Sequence, residues 1–282
     1  MANKPDRIIN MHGHIRDWQD LAARVEIWRQ WNVEKFVVLL RSDNWGERRG
    51  GGLTTSDWPN VQRQYPDLLV GFAGANMQGD SIDGPAEIER YADQGFVGLK
   101  AIAPKHPYNH EAYFGIYEKA QDLGMPILFH TGFLAVDYTT DGRYGIDSEN
   151  MRPYLFDRIA RTFPRLKIIG AHLGGPHYAE ALQMLDAHEN VYFDISGGSG
   201  KKRHQRKIIS AMLPHPGLET DWTDPAENPA LGWFEKIVFG TDSPEPDVWV
   251  PAAENILDAL HIPAELRQRF YYDTAAELLG LR

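Results

Sequence analysis

Eight short apolar runs recur along the chain: "DRIINMHGH", "VEKFVVLL", "LLVGFAGAN", "GFVGLKAIAP", "MPILFHTG", "LKIIGAHLG", "VYFDISGG" and "KIVFGTDSP". They are rich in β-branched and aromatic residues and apolar almost without interruption. That is the pattern of strands buried on both faces, as in a parallel sheet. Between them lie stretches with apolar residues at helical spacing, among them "DLAARVEIWRQWN", "AEIERYADQG", "HEAYFGIYEKAQDLG" with Gly124 as its C-terminal stop, "MRPYLFDRIARTFP" and "YAEALQMLDAHEN". Strand then helix, eight times over, predicts an α/β fold of the (β/α)8 type, a TIM barrel. An open doubly wound sheet is the other parallel arrangement, but eight strands with one connector each favour the barrel. No linker or low-complexity stretch interrupts the pattern, so residues 1–282 read as one domain. Three connections are long, at about 41–67, 132–165 and 198–234, after strands two, five and seven. In a barrel they leave from the C-terminal strand ends, where active sites are built.

Composition narrows the function classes. Lys and Arg number 29 against 39 Asp and Glu, a formal net charge of −10. Such a surface repels phosphate backbones, which argues against a nucleic-acid partner. The one basic run, "GKKRHQRK" (200–207), reads as a solvated helix face. With no cysteine, thiolate ligands, a cysteine nucleophile and disulfides are all excluded, so any metal site must use His, Asp, Glu or Lys. "MANKPDRII" lacks the apolar core of a secretion signal, and no run approaches the ~20 apolar residues of a membrane span. The expectation is a soluble cytoplasmic protein with no membrane partner.

Polar residues recur at the ends of these strands: His12 and His14 on the first, Lys100 on the fourth, His130 on the fifth, His172 on the sixth and Asp242 on the eighth. Strand ends converge at the mouth of a barrel, and polar residues there read as catalytic. Residues i and i+2 of a strand share a face, so His12 and His14 can grip one ion. Alone, such a pair is as readily a surface turn or a hydrogen-bonded core pair. A third histidine and a carboxylate from other strands would complete a nitrogen-and-oxygen site suited to zinc, and also to manganese, iron or cobalt.

The ordered motifs "NMHGH" (10–14), "GFVGLKAIAP" (95–104), "GMPILFHTG" (124–132), "FPRLKIIGAHLGG" (163–175), "VYFDISG" (191–197), "IVFGTDSP" (237–244) and "TAAELLGL" (274–281) span nearly the whole chain. In them the sequence resembles the amidohydrolase superfamily, most closely the amidohydrolase-related branch that includes aminocarboxymuconate-semialdehyde decarboxylase and related decarboxylases and lactonases. The resemblance implies one divalent metal, zinc before manganese, held by His12, His14, His130 and Asp242. It implies Asp242 as the group that takes the nucleophile's proton and His172 as a hydrogen-bonding or acid–base group beside it.

Two positions depart from the branch. Relatives often carry an acidic residue two positions before the first histidine, where this chain has Asn10. Relatives with the strand-four lysine often continue "KLHP", where this chain reads "KAIAP". Lys100 then has three readings: a carboxylated bridge to a second metal with His172 as its ligand, a binder of substrate carboxylate or carbonyl, or a structural ion pair. Arg41, at the end of strand two, is a candidate for bidentate contact with a substrate carboxylate. Trp45, Trp58 and Phe133 are candidates for an aromatic wall, and Tyr138, Arg143 and Tyr144 for further loop contacts. His106 and His110 read as exposed loop residues and His177 as a helix-start residue. His188, His204, His215 and His261 carry no motif.

The function this pattern implies is a metal-dependent hydrolase, in which metal-activated water attacks an amide, ester or lactone carbonyl of a small anionic substrate. A non-oxidative decarboxylase of a small carboxylic acid, aromatic or muconate-like, would use the same ligands. A non-catalytic ligand-binding barrel is the third reading, and retention of the strand-end polar set argues against it. A homodimer is the expected assembly, as the commonest closed form.

Overall fold

Each of the eight runs contains a strand: β1 (Ile8–Gly13), β2 (Val33–Leu39), β3 (Leu69–Gly74), β4 (Gly98–Ala101), β5 (Ile127–Phe129), β6 (Ile168–Gly170), β7 (Val191–Asp194) and β8 (Ile237–Val238). The computed structural model describes residues 4–15, 21–43, 52–78, 81–134, 146–197, 202–213, 221, 224–243 and 245–281. Successive strands pair in parallel, in the order β1 to β8. The ends of the sheet meet. Met11 N donates to Phe239 O at 2.9 Å, Thr241 N donates to His12 O at 3.0 Å, and Gly13 bridges Asp242 in parallel. This is the predicted (β/α)8 barrel. Gly240 makes the close approach possible, since a Cβ there would stand 2.7 Å from His12 Cβ.

Helices wrap the outside: α1 (Leu21–Gln30), α2 (Trp58–Gln62), α3 (Pro85–Asp93), α4 (Phe114–Asp122), α5 (Phe156–Thr162), α6 (Tyr178–Ala187), α7 (Lys202–Met212), α8 (Ala230–Phe234) and α9 (Pro246–Ala259). Gly124, at φ +68°, stands two residues beyond α4, one past its C-cap Leu123, in the left-handed conformation a helix stop uses. The final run forms α10 (Ala264–Gln268), a π-turn (Arg269–Asp273) and α11 (Thr274–Leu278). The main core lies between sheet and helices, as where Trp28 of α1 stacks on Phe36 of β2 at 3.8 Å. Trp58 belongs to this layer. It is fully buried behind β3, against Gly71, and forms no part of a wall at the mouth, contrary to the sequence expectation.

A second, smaller cluster fills the barrel itself with Ile9, Met11, Val37, Leu39, Phe72, Leu128, Ile169 and Val238. Tyr272, Ala275, Ala276 and Leu278 close it from below. Lys167, just before β6, donates to the carbonyls of Glu277 and Leu278 at 2.9 and 3.1 Å, and Arg7, just before β1, reaches the Tyr272 hydroxyl. The N-terminal end of the barrel is therefore sealed, and the open end is the one where the strands finish.

The long connections after β2 and β5 run to α2 and α5, and Trp45, Tyr138, Arg143 and Tyr144 lie outside the described residues. The length after β7 is partly helical, taken up by α7 and α8. Among the described residues, no helix is long and apolar enough to cross a membrane.

Candidate metal centre

The first strand reaches the mouth through an irregularity. Asn10 pairs with Phe36, but Gly13 pairs with Val38, so three steps on β1 match two on β2. This bulge resets the alternation of side chains. Ile9 and Met11 below it belong to the barrel's inner cluster, and the histidine pair also comes to the inside, while the Gly13 position faces the outer Phe36 ring. Asn10 is the brace. Its Oδ1 accepts from His12 N and from Thr241 N, both at 3.2 Å, and its Nδ2 donates to Thr241 Oγ1 at 2.8 Å. The departure from an acidic residue therefore leaves a neutral amide that pins the β1–β8 seam and holds the bulge.

The outer nitrogens of the pair are spoken for. His12 Nδ1 lies 2.7 Å from Asp194 Oδ2, and His14 Nδ1 lies 3.1 Å from Leu39 O. Each ring's Nε2 is left for another partner, and both approach the same atom: Asp242 Oδ1 is 3.6 Å from His12 Nε2 and 3.4 Å from His14 Nε2. Those separations are long for hydrogen bonds. They match the ~3.3 Å between ligand atoms around a tetrahedral ion with bonds of about 2.0–2.1 Å. Donor atoms of His12, His14 and Asp242 all lie within 4.8 Å of one another.

His130 follows β5, with its backbone N donating to Ala101 O at 2.8 Å. Thr131 beside it gives its hydroxyl to the Ala171 carbonyl and so ties the ends of β5 and β6. His130 Nε2 is buried and has no hydrogen-bond partner. A buried imidazole nitrogen without a partner is costly, and an ion is the kind of partner that would satisfy it. His172 stands between the others, its ring centroid 5.0 Å from His12 and 5.1 Å from His130. Its Nδ1 lies 3.1 Å from both the carbonyl and the hydroxyl of Ser196. His172 and Asp242 both sit in the left-handed backbone region, at φ 59° and 61°. Non-glycine residues there cost of order 1–3 kcal/mol each and cluster at functional sites.

Asp194, at the end of β7, received no role from the sequence. It is fully buried. Besides His12, it accepts from His172 N at 2.9 Å, Ser196 N at 2.8 Å and Ser196 Oγ at 2.5 Å. One carboxylate thus holds both a proposed ligand and the proposed acid–base group. Gly197 follows at φ +97°, and a Cβ there would stand 2.5 Å from His172 Nδ1. The signal for Asp194 was present in "VYFDISG": a polar residue closing an apolar strand, as on the other strands.

Burial and charge set the protonation states. Burial works to raise the carboxyls of Asp194 and Asp242, but the surrounding histidines, with Lys100 acting also on Asp242, more than offset it and hold both well below the usual range. Burial lowers His14 to about 3 against the pull of Asp242. His130 and His172 are also lowered, again chiefly by burial. His14, His130 and His172 therefore stand as neutral imidazoles beside ionised carboxylates at neutral pH, the state that binds a cation.

Lys100 points into the same space from β4. Its Nζ is buried without a hydrogen-bond partner, and burial brings it down to about 8. Arg41, just after β2, lines the mouth, with its backbone bridged to Thr54. The cavity has a volume of about 600 Å³ and touches His12, His14, Lys100, His130, His172 and Asp242. Exposed Phe133 also lines it, as expected of an aromatic wall. His106 and His110 stack on each other at 4.3 Å outside the cavity, and His188 pairs with Asp157 at 3.0 Å. His215 lies outside the described residues. The basic run departs from its expected role as a wholly solvated face, because His204 and Lys207 of α7 reach the cavity.

Solved structures share this architecture at low identity. A probable 2-pyrone-4,6-dicarboxylic acid hydrolase from Acinetobacter baumannii, solved with citric acid bound, superposes with a TM-score of 0.63 at 14% identity over 97% of this chain and 99% of that one. A dihydroxybenzoic acid decarboxylase from Polaromonas sp. JS666, with bound manganese and the inhibitor 2-nitroresorcinol, gives 0.61 at 18% over 98% of each. Dihydroorotase from Campylobacter jejuni gives 0.62 at 17% over 100% of this chain and 85% of that one. No curated protein matches the chain in sequence. The amidohydrolase family model matches residues 47–281, a span that takes in Lys100, His130, His172, Asp194 and Asp242. With that match across most of its length, the chain belongs to the amidohydrolase family.

Proposed function

We propose that His12, His14, His130 and Asp242 hold one divalent ion, zinc first and manganese as the alternative, and that the enzyme hydrolyses a lactone, ester or amide of a small anionic substrate. The observation that carries this reading is the convergence of His12 Nε2 and His14 Nε2 on one Asp242 oxygen, beside the unpartnered His130 Nε2. An ion bound there would supply Lewis acidity for the carbonyl and a nucleophilic water near neutral pH. The protein's own groups divide the remaining work. Asp242, ionised at neutral pH, takes the proton of the attacking water and passes it to the leaving oxygen or nitrogen. His172, neutral and donating through Nδ1 to the Ser196 carbonyl, leaves an Nε2 lone pair that accepts from the attacking water and orients it. Lys100, a buried cation without a partner, binds a substrate carboxylate or carbonyl, and Arg41 provides a second anion contact at the mouth.

The same Lys100 also favours a second reading, non-oxidative decarboxylation, because it could seat the carboxylate that is lost. The dihydroxybenzoic acid decarboxylase neighbour lends that reading support. A panel of lactones, esters, amides and aromatic acids, assayed in parallel for acid release and for CO₂, separates the two. Clear CO₂ release with no hydrolytic turnover overturns the hydrolase reading. The centre itself is tested by metal analysis of His12→Ala and Asp242→Ala, which should lose the ion and activity while keeping the fold. Full metal content and full rate in His12→Ala would overturn the ligand assignment.

A further inference from the structure

The cavity reverses the charge of the protein around it. The chain carries a formal net charge of −10. Yet among the described residues lining the cavity Lys100 and Lys207 stand against one carboxylate, Asp242, with Asp194 buried behind His12. A divalent ion held by Asp242 would keep a net positive charge of its own. With such an ion in place a monoanion leaves part of this charge unbalanced, and a dianion matches it. The cations also come from different sides. Lys100 rises from β4, whereas Lys207 comes from α7, which follows β7, three strands further round a ring of eight.

α7 is built to present this second group. Gln205, Ile208 and Met212 are its buried stripe. His204 and Lys207, three residues apart, flank that stripe on one side of the helix and both line the cavity. His204 is half-buried over the Trp249 ring, with centroids 6.3 Å apart, and its Nε2 is buried with no partner. It is linked to the centre through the Ser196 backbone, which acts on His204 and whose carbonyl also meets His172 Nδ1. Much of the remaining lining is carbon: Ile15, Leu39, Leu53, Ile102, Phe133 and Leu134. A cavity of about 600 Å³ lies within the range of small-molecule sites.

We propose that the substrate is a small dicarboxylate, or the lactone, ester or amide of one, with one acid group at Lys100 and the second clamped by Lys207 and His204 of α7, the His204 ring taking a proton from solvent as the carboxylate binds so that its Nε2–H donates. This rests on the metal-centre reading above and adds to it the substrate's second charge and the residues that recognise it.

The test uses the metal-loaded protein and matched acids that differ by one carboxylate: isophthalate against benzoate, and glutarate against butyrate. Binding is measured by calorimetry, with metal content and thermal midpoint determined on every preparation. At least one dicarboxylate should bind about tenfold or more tightly than its monoacid, with the advantage shrinking at high salt. Lys207→Gln and His204→Gln should each cut dicarboxylate affinity about five- to tenfold, with monoacid affinity, metal content and thermal midpoint unchanged. Two exchanges guard against misfolding, since Lys207 is exposed and its replacement leaves the α7 stripe intact. Equal affinity within both pairs, or equal loss of mono- and dicarboxylate binding in the variants, overturns the clamp. If metal content is normal in that case, the metal-centre reading stands and the clamp alone falls. Absence of bound metal in the wild-type protein overturns both.

Discussion

Asp194 Oδ2 stands 2.7 Å from His12 Nδ1 and fixes that ring so that its other nitrogen faces Asp242. A carboxylate behind a ligating histidine sets the tautomer and raises its basicity, and losing such a partner typically costs 10–100-fold in metal affinity. Asp194→Asn should therefore weaken metal binding by about one to two orders of magnitude, measured by competition with a chromophoric chelator. The amide keeps an oxygen for Ser196 N and His172 N, so the fold should persist. Asp194→Ala removes that acceptor as well and strands buried donors at roughly 1–3 kcal/mol each, so its thermal midpoint should fall too. Unchanged metal affinity in Asp194→Asn would mean that the carboxylate only packs the strand end.

Much of the barrel and half of its mouth are legible in the sequence, because a strand buried on both faces is written locally, as an apolar run with a polar residue at its end. His12, His14, Lys100, His130, His172 and Asp242 were readable on that basis, and the cavity gathers all six. The bulge between Asn10 and Gly13 was not readable. The i, i+2 rule places His12 and His14 on one face, but which face depends on how β1 pairs with β2. Asp194 was overlooked because its partner His12 is 182 residues away. The α7 run was misread because charge alone does not tell which side of a helix turns to a cavity. Trp58 failed in the opposite sense, drawn behind the sheet by Gly71.

Asn10 makes three side-chain hydrogen bonds, two of them across the β1–β8 seam, and is fully buried. Asn10→Ala leaves His12 N to find another acceptor in a dry place, whereas Thr241 N keeps its bond to His12 O. The expected loss is about 1–3 kcal/mol in chemical denaturation, read from a shift in midpoint at constant slope. Metal affinity should fall with it, because the bulge that turns His12 inward loses its brace. A stable Asn10→Ala protein with normal metal affinity would show that backbone pairing alone sets the bulge.

Lys100 illustrates a conflict between stability and function. Burial lowers its ammonium to about 8, which means that the folded state holds the charge less well than the unfolded chain does. Between about pH 8 and 10.5 the unfolded chain binds more protons, so this group's contribution to stability rises with pH there, and its full penalty is felt at neutral pH and below. Lys100→Met removes that penalty and keeps most of the volume. The metal-free variant should melt higher than the metal-free wild type at pH 7, yet bind anionic ligands at least tenfold more weakly. A lower melting point would indicate an ion pair that stabilises the folded state.

The histidines give the metal-free protein a definite pH response. His14 sits at about 3 in the folded state against the ordinary 6.5, and His130 and His172 are lowered as well. From pH 6.5 downwards the unfolded chain therefore takes up protons that the folded site refuses. Each such proton contributes a slope of at most about 1.4 kcal/mol per pH unit, with stability falling as pH falls. The carboxyls of Asp194 and Asp242 act in the same direction, but only below the ordinary carboxylate range, so the window between about pH 4.5 and 6.5 belongs to the histidines. Denaturation of chelator-treated protein across that window should show stability dropping with acidification, and His14→Asn should make the drop shallower. Bound metal requires neutral imidazoles, so the loaded protein should lose its ion over the same range and converge on the metal-free curve. Parallel slopes for wild type and His14→Asn between pH 4.5 and 6.5 would remove His14 from the set of groups that titrate on unfolding.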